Sequence, residues 1–303
     1  MNQKIVCFGE TLWDILPSGR MPGGAPMNVA IHLHHNGFDP VVVSRVGSDD
    51  LGKELVAFLQ EQKINTDYLQ TGQTHLTGIV KANISDRNEV TYKIVEPVAW
   101  DYIQLEERTA QLVSESDLFI YGSLVARGAT SQDALLQYLS LAQKKVFDVN
   151  LRPPHYTTER VLALLGLADI VKMNHQELAE ICTWLGTEGD MVQQMQFIKE
   201  HFGLELVIVT RGDEGAAAFS QDGFFEHEGF QVEVEDTIGS GDAFLATFLT
   251  NHLQGKPMNQ ILERACLIGA YVATQRGATP TYDPASITPD SLKKDTQPYK
   301  LHI

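Results

Sequence analysis

Basic residues are scarce in this 303-residue chain: 23 lysines and arginines stand against 39 aspartates and glutamates, a formal net charge of −16. That balance argues against a general affinity for nucleic acid or anionic lipid. No basic stripe offsets it, so neither a nucleic acid nor a membrane is expected as a partner. Cysteine is scarce too. Cys7, Cys182 and Cys266 lie scattered in apolar surroundings, without metal-ligand spacing, and cannot all pair. A reduced, cytoplasmic compartment is the expectation. Long apolar runs are missing, and the start, MNQKIVCFGE, passes straight into a strand-like segment. No membrane span or signal peptide is therefore expected.

Three common signatures are absent as well. There is no G-x-x-x-x-G-K-[ST] loop. Gly239-Ser240-Gly241 begins like a dinucleotide fingerprint, but Phe244 holds the third small position and would obstruct close helix–strand packing. Ser240 does not sit in a nucleophile elbow, because Ile238 replaces the glycine two residues before it.

What is present is an ordinary globular composition, 43% hydrophobic and 20% charged. The length suits one large α/β domain with a small accessory element. Apolar, β-rich runs at 4–9, 41–47, 117–122, 144–150, 169–174 and 206–212 read as strands buried on both faces. Helical patterns fall near 26–36, 51–62, 131–143, 175–185, 191–202, 242–253 and 258–275. The alternation predicts a three-layer α/β/α sandwich around a mostly parallel sheet. Two stretches break the rhythm: TLWDILPSGRMPGG (11–24) and TGIVKANISDRNEVTYKIVEPVAW (77–100) look like short strands joined by turns. They either pair into a small sheet over the main domain or form separate edge hairpins.

Four stretches could carry chemistry. In DTIGSGDAF (236–244), three small residues precede a helical run with Asp242 at its start. Small residues admit a ligand to the backbone, and a helix start offers unpaired N–H groups, so the turn is an anion site. A carboxylate pointing into an anion site needs a chemical task. In MPGGAPMNVAIHLHHNG (21–37), Gly23 and Gly24 precede a helix that carries Asn28, with Asp14 upstream. This inventory suits a polyol, and equally an ordinary loop-to-helix junction. FDVNLRPP (147–154) sets Asp148, Asn150 and Arg152 at alternate positions past a strand end, where α/β sheets bind ligands. Arg152 is a candidate phosphate cation, the alternative being a solvated strand end with a local ion pair. Finally, VKMNHQE (171–177) and VTRGDEGAAAF (209–219) each leave a strand for polar turns. Lys172, Asn174 and Glu177 suit phosphates and hydrated Mg2+, and Gly212 and Gly215 suit a turn beneath a nucleotide.

With these pieces in this order, the chain resembles the ribokinase-like sugar kinases of the phosphofructokinase-B type. GGAPMN and DTIGSGDAF resemble the family's two signatures, and GETLWDILPSG with FDVNLRPP looks most like the bacterial fructokinase branch. The resemblance implies an ATP-dependent kinase that phosphorylates the 6-hydroxyl of fructose, with Mg2+. Asp242 would be the general base and the amides of Gly239, Ser240 and Gly241 the phosphoryl cradle. Asp14, Gly24 and Asn28 would contact sugar, with Gly23 supporting the loop and Arg152 at a phosphate. Asn174 and Glu177 would organise nucleotide phosphates and magnesium, and Thr210 with Gly212 the nucleotide turn. Asp236 and Gly277 fall where many relatives hold a monovalent cation, which leaves potassium open. Residues 11–23 and 77–100 would be the lid, through which relatives sometimes form homodimers. Ribose, 2-keto-3-deoxygluconate or a nucleoside are alternative acceptors, and a non-catalytic sugar or nucleotide sensor is the alternative class.

Other residues read more plainly. His32 and His35 share a helix face without a third ligand, so a helix surface is expected rather than a metal site. Cys7 reads as a small hydrophobe. Trp13 either shapes the pocket or packs beneath the lid.

Overall fold

The β1 strand, Ile5–Phe8, shows how the layers arise. Its residues alternate: Val6 and Phe8 enter one apolar cluster, Ile5 and Cys7 another. A strand with apolar residues on both faces must be covered twice, and helices cover it on each side. The computed structural model describes residues 3–16, 19–84 and 90–292.

The main sheet has nine strands. From β1 it runs one way through β4 (Val41–Gly47) to β5 (Leu69–Gly72). The other way it runs through β8 (Leu118–Gly122), β9 (Lys145–Asp148), β10 (Ile170–Asn174) and β11 (Leu206–Thr210). All of these pair in parallel. An antiparallel hairpin, β12 (Ala216–Ser220) and β13 (Gly223–His227), completes that edge. Strand order reverses between β1 and β8, which opens a crevice at the strands' C-terminal ends.

One helical layer comprises α1 (Ala25–His35), α2 (Asp50–Glu61), α8 (Ser240–Leu253) and α9 (Met258–Ala273). The other comprises α3 (Glu107–Ser114), α4 (Ala129–Leu141), α5 (Thr158–Leu165), α6 (His175–Trp184) and α7 (Met191–Phe202). The predicted three-layer sandwich is the observed one. No helix among the described residues is long and apolar enough to cross a membrane.

The two irregular stretches form one separate four-stranded sheet, in the order β3, β2, β6, β7. These are Gly19–Gly23, Leu12–Leu16, Gly78–Ile84 and Val90–Ile94. The hairpins do not stay apart: β2 and β6 pair in parallel, Leu12 opposite Gly78 and Asp14 opposite Val80. Asp86–Arg87–Asn88, a polar stretch that reads as a turn from sequence, lies outside the described residues. Trp13 packs beneath this sheet, its Nε1 donating to the Leu51 carbonyl at 3.0 Å.

The histidine face departs from expectation. His32 is not on a surface but fully buried, with both ring nitrogens hydrogen-bonded. Helix α1 is covered by α8 and by the segment around Ala278 and Tyr282, a long-range contact that helical periodicity does not reveal. Cys7 is a buried hydrophobe, as read.

Candidate active site

The α8 helix starts at Ser240 because Gly239 takes a left-handed conformation, φ 80°, which lets the chain turn sharply into the helix. No side chain caps this end; the Ser240 amide makes a long contact with the Thr237 carbonyl, 3.3 Å, and the amides after it are left for a ligand. A Cβ at Gly239 would collide with the backbone of Ala278, which packs directly behind the turn. The Ser240 hydroxyl donates to the Gly269 carbonyl at 3.0 Å.

Asp242 follows in the first turn. Asn28, in the first turn of α1, donates from Nδ2 to Asp242 Oδ2 at 2.9 Å. Burial and the neighbouring Asp148 push the Asp242 pKa up to about 6, against the opposing pull of Lys172, Asn28 and Arg152. Lys172, in the middle of β10, forms a buried ion pair with Asp148 of β9, Nζ to Oδ1 3.0 Å. Burial alone would lower the lysine pKa, but Asp148, Glu177 and Asp242 outweigh it and raise it.

Two cavities meet at this helix start. One, of about 530 Å3, is lined by Asp14, Gly24, Asn28, Arg152, Lys172, Asp236 and Asp242, and is roofed by Leu12, Val80 and Ile94 of the small sheet. The other, of about 660 Å3, is lined by Asn174, Thr210, Gly212, Gly215 and Ser240, with an apolar wall including Phe230, Phe244 and Ala270. Both volumes suit a small ligand. Thr237 and Gly241 belong to both linings, so the cavities adjoin at the proposed anion site.

The remaining candidates fall as follows. Gly23 is buried beneath the Asp14 carboxyl and leaves no room there for a Cβ. Burial and the nearby Asp236 push Asp14 up to about 6, with Arg152 opposing. Arg152 is exposed, and its Nη1 donates to the Leu151 carbonyl at 3.2 Å. It and Lys172 border the first cavity rather than the second. The alternation of Asp148, Asn150 and Arg152 breaks at Asn150, which has φ 39°. Asn174 caps α6, accepting from the amides of Gln176 and Glu177 at 2.9 Å each. Glu177 returns the contact to the Asn174 amide and takes the Leu151 amide as well, both at 2.8 Å. Asp236 accepts from the amides of Ile238 and Gly277, at 3.0 and 3.3 Å. Gly215 must be glycine, since a Cβ would strike the backbone of His227.

One residue of the first cavity escaped sequence reasoning. Glu10, just past β1, is 3% exposed; one carboxyl oxygen accepts from the Ala25 amide at 3.3 Å and the other has no partner. Burial pushes its pKa up to about 7, with Asp242 adding to the rise and Arg152 opposing it. Its position at a strand end beside the sheet's switch point was the available signal.

A family model described as "pfkB family carbohydrate kinase" matches residues 3–285. A fructokinase of Salmonella typhimurium is 28% identical over 297 residues, which cover 92% of this chain and 95% of the relative. Among solved structures, a fructokinase of Xylella fastidiosa with bound ATP superposes with a TM-score of 0.81 at 25% identity, covering 92% of this chain and 94% of that one. A double-mutant fructokinase of Vibrio cholerae O395, in fructose-, ADP- and potassium-bound form, has a TM-score of 0.79 at 23% identity. It covers 92% of this chain and 94% of that one, and at that identity the likeness speaks for the fold.

Proposed function

The chain belongs to the pfkB family of carbohydrate kinases, and from that premise we propose that it transfers the γ-phosphoryl group of MgATP to the 6-hydroxyl of D-fructose. The observation that carries the reading is the junction of the two cavities at Gly241 and Thr237, with Asp242 on one side of it. Phosphoryl transfer needs an alcohol and a nucleotide brought into line more than it needs covalent chemistry. The 530 Å3 cavity takes the sugar, with Asp14, Gly24 and Asn28 offering a carboxylate, backbone and an amide to its hydroxyls. The 660 Å3 cavity takes ATP. Asp242 accepts the proton of the attacking hydroxyl, and the Gly239–Gly241 amides receive the charge that develops on the phosphoryl oxygens. The small sheet acts as the lid, excluding water from the reaction.

Magnesium bound with ATP would supply charge neutralisation of the phosphates. Glu177 is buried, lines neither cavity and already accepts one amide at each oxygen, so a spare lone pair on each is all it would offer a metal-bound water. The hydrogen-bonded pair of Asp236 and Gly277 is the candidate holder of potassium.

The acceptor cavity also favours a neutral substrate. Glu10, Asp14, Asp236 and Asp242 line it, while of its two cations Lys172 is already paired with Asp148. An acceptor with its own carboxylate, such as 2-keto-3-deoxygluconate, would meet repulsion there. A coupled ADP-release assay against fructose, ribose, 2-keto-3-deoxygluconate and nucleosides is the direct test. Fructose should give the highest kcat/KM and the sugar acid the lowest. A higher value for ribose or a nucleoside would remove the fructose assignment, and sugar binding without ADP release would replace the kinase with a sensor.

Two further results are expected. Asp242 must be ionised to act, and its raised pKa places the loss of kcat/KM near pH 6 as pH falls, not near 4. Glu10 and Asp14 titrate in the same cavity, so the limb belongs to the group rather than to one carboxyl. A profile from pH 5 to 9 with no fall below 7 would contradict this. Asn28→Leu removes a hydrogen bond to the charged form, typically about 1.5–3 kcal/mol. That variant should lower kcat and move the acid limb upward by about one pH unit or more; an unmoved limb would show that Asn28 does not support the ionised carboxylate.

A further inference from the structure

We infer that His32 is a positioning residue for phosphoryl transfer, holding the backbone wall behind the Gly239–Gly241 turn from the same helix face that holds Asp242. The inference deepens the kinase reading and depends on it only where activity is measured.

His32 is fully buried in α1. Its Nε2 lies 2.9 Å from the Ala278 carbonyl oxygen and its Nδ1 2.9 Å from the Tyr282 hydroxyl. A carbonyl can only accept, so Nε2 carries the hydrogen. Burial pushes the imidazole pKa down to about 3, so the ring is neutral and Nδ1 holds a lone pair. The Tyr282 hydroxyl therefore donates to Nδ1, and a single tautomer satisfies all three groups.

Ala278 is the residue against which Gly239 is pressed: a Cβ on Gly239 would fall 2.5 Å from the Ala278 Cα. The place of Ala278 thus limits where the turn can lie. The preceding residue, Gly277, donates to Asp236 at the other end of the same turn. Asn28 stands four residues before His32, on the same face of α1, and holds Asp242 at 2.9 Å. One helix face therefore grips the base at one turn and the wall of the anion site at the next. Neither His32 nor Ala278 lines either cavity, so the imidazole acts through backbone it fixes, not on the substrates.

Hydrogen exchange and kinetics on the full chain test this together. His32→Leu leaves the Ala278 carbonyl and the Tyr282 hydroxyl unpaired. Peptides spanning 236–243 and 277–282 should then exchange about 10-fold faster, while a peptide across β8 is unchanged. With fructose, kcat should fall about 10- to 100-fold with both KM values nearly constant. His32→Gln, whose amide can reach the Nε2 position, should recover most of kcat and of the protection. Unchanged exchange in folded His32→Leu, or equal losses in the two variants, would overturn the inference. Should His32→Leu not fold, Tyr282→Phe replaces it: faster exchange over 277–282 and a severalfold lower kcat are expected, and unaltered values overturn the inference. If the unmodified protein phosphorylates no sugar, the kinase reading fails, and the exchange result still decides the role of His32.

Discussion

Replacing Asp242 by asparagine should lower kcat by about 10²–10⁴, the usual contribution of a positioned general base. That range corresponds to about 3–5 kcal/mol of transition-state stabilisation. The change is nearly isosteric, and the amide oxygen can still accept from Asn28, so the cavities and the anion site keep their shape. Only the capacity to take a proton is lost. Affinity for ATP should hold or rise, since a negative charge beside the phosphates disappears. Stability should move the opposite way from activity. The Asp242 pKa is raised in the folded protein, so its ionised form is disfavoured there. The resulting destabilisation is full above about pH 6, shrinks as pH falls from there and is gone below the unfolded carboxylate value. Asp242→Asn should therefore melt higher than the unmodified chain at pH 8, with the difference shrinking towards pH 4. Near-normal kcat in that variant would remove Asp242 from the role of base.

Replacing Gly239 by alanine should be nearly as damaging, for a different reason. An alanine in a left-handed conformation costs about 1–2 kcal/mol in itself. Its Cβ would also collide with the Ala278 backbone, so either the turn or the 277–282 segment must shift. The amides then no longer meet the phosphoryl oxygens, and loss of anion-site donors typically costs about 10²–10³ in kcat. Ser240→Ala is the control. It removes a hydroxyl that bonds Gly269 but leaves the backbone amide in place, so kcat should change less than about threefold. Equal losses in the two variants would mean that the turn's backbone is not the catalytic element.

The sequence revealed the elements whose patterns are local. The parallel strands showed as apolar runs because both faces are covered, and the Gly-Ser-Gly-Asp turn showed through its composition. The β12 strand did not, since AAAFS is alanine-rich and weakly β-prone; its pairing with β11 and the packing of Ala216 and Ala218 decide it instead. Helices α3 and α5 are only eight residues long, too short for periodicity to stand out. At the site, Asp14, Gly24, Asn28, Arg152, Lys172 and Asp242 come to one cavity from five separate stretches of chain. Their residue types were legible, and the division of labour between cavities was not. Lys172 and Arg152 read as nucleotide or phosphate cations, yet both border the acceptor side. Glu10 was missed and His32 read as a surface residue, for different reasons. A lone carboxylate after a strand has no motif, and a histidine on a helix gives no sign of a partner about 250 residues away.

The most direct measurement is a crystal structure with fructose and a non-hydrolysable ATP analogue bound together. The sugar's 6-hydroxyl should lie within about 3 Å of the Asp242 carboxylate, in line with the terminal phosphorus, with the Gly239–Gly241 amides directed at the terminal phosphate oxygens. Fructose seated away from Asp242, or a terminal phosphate held elsewhere than at the start of α8, would contradict it.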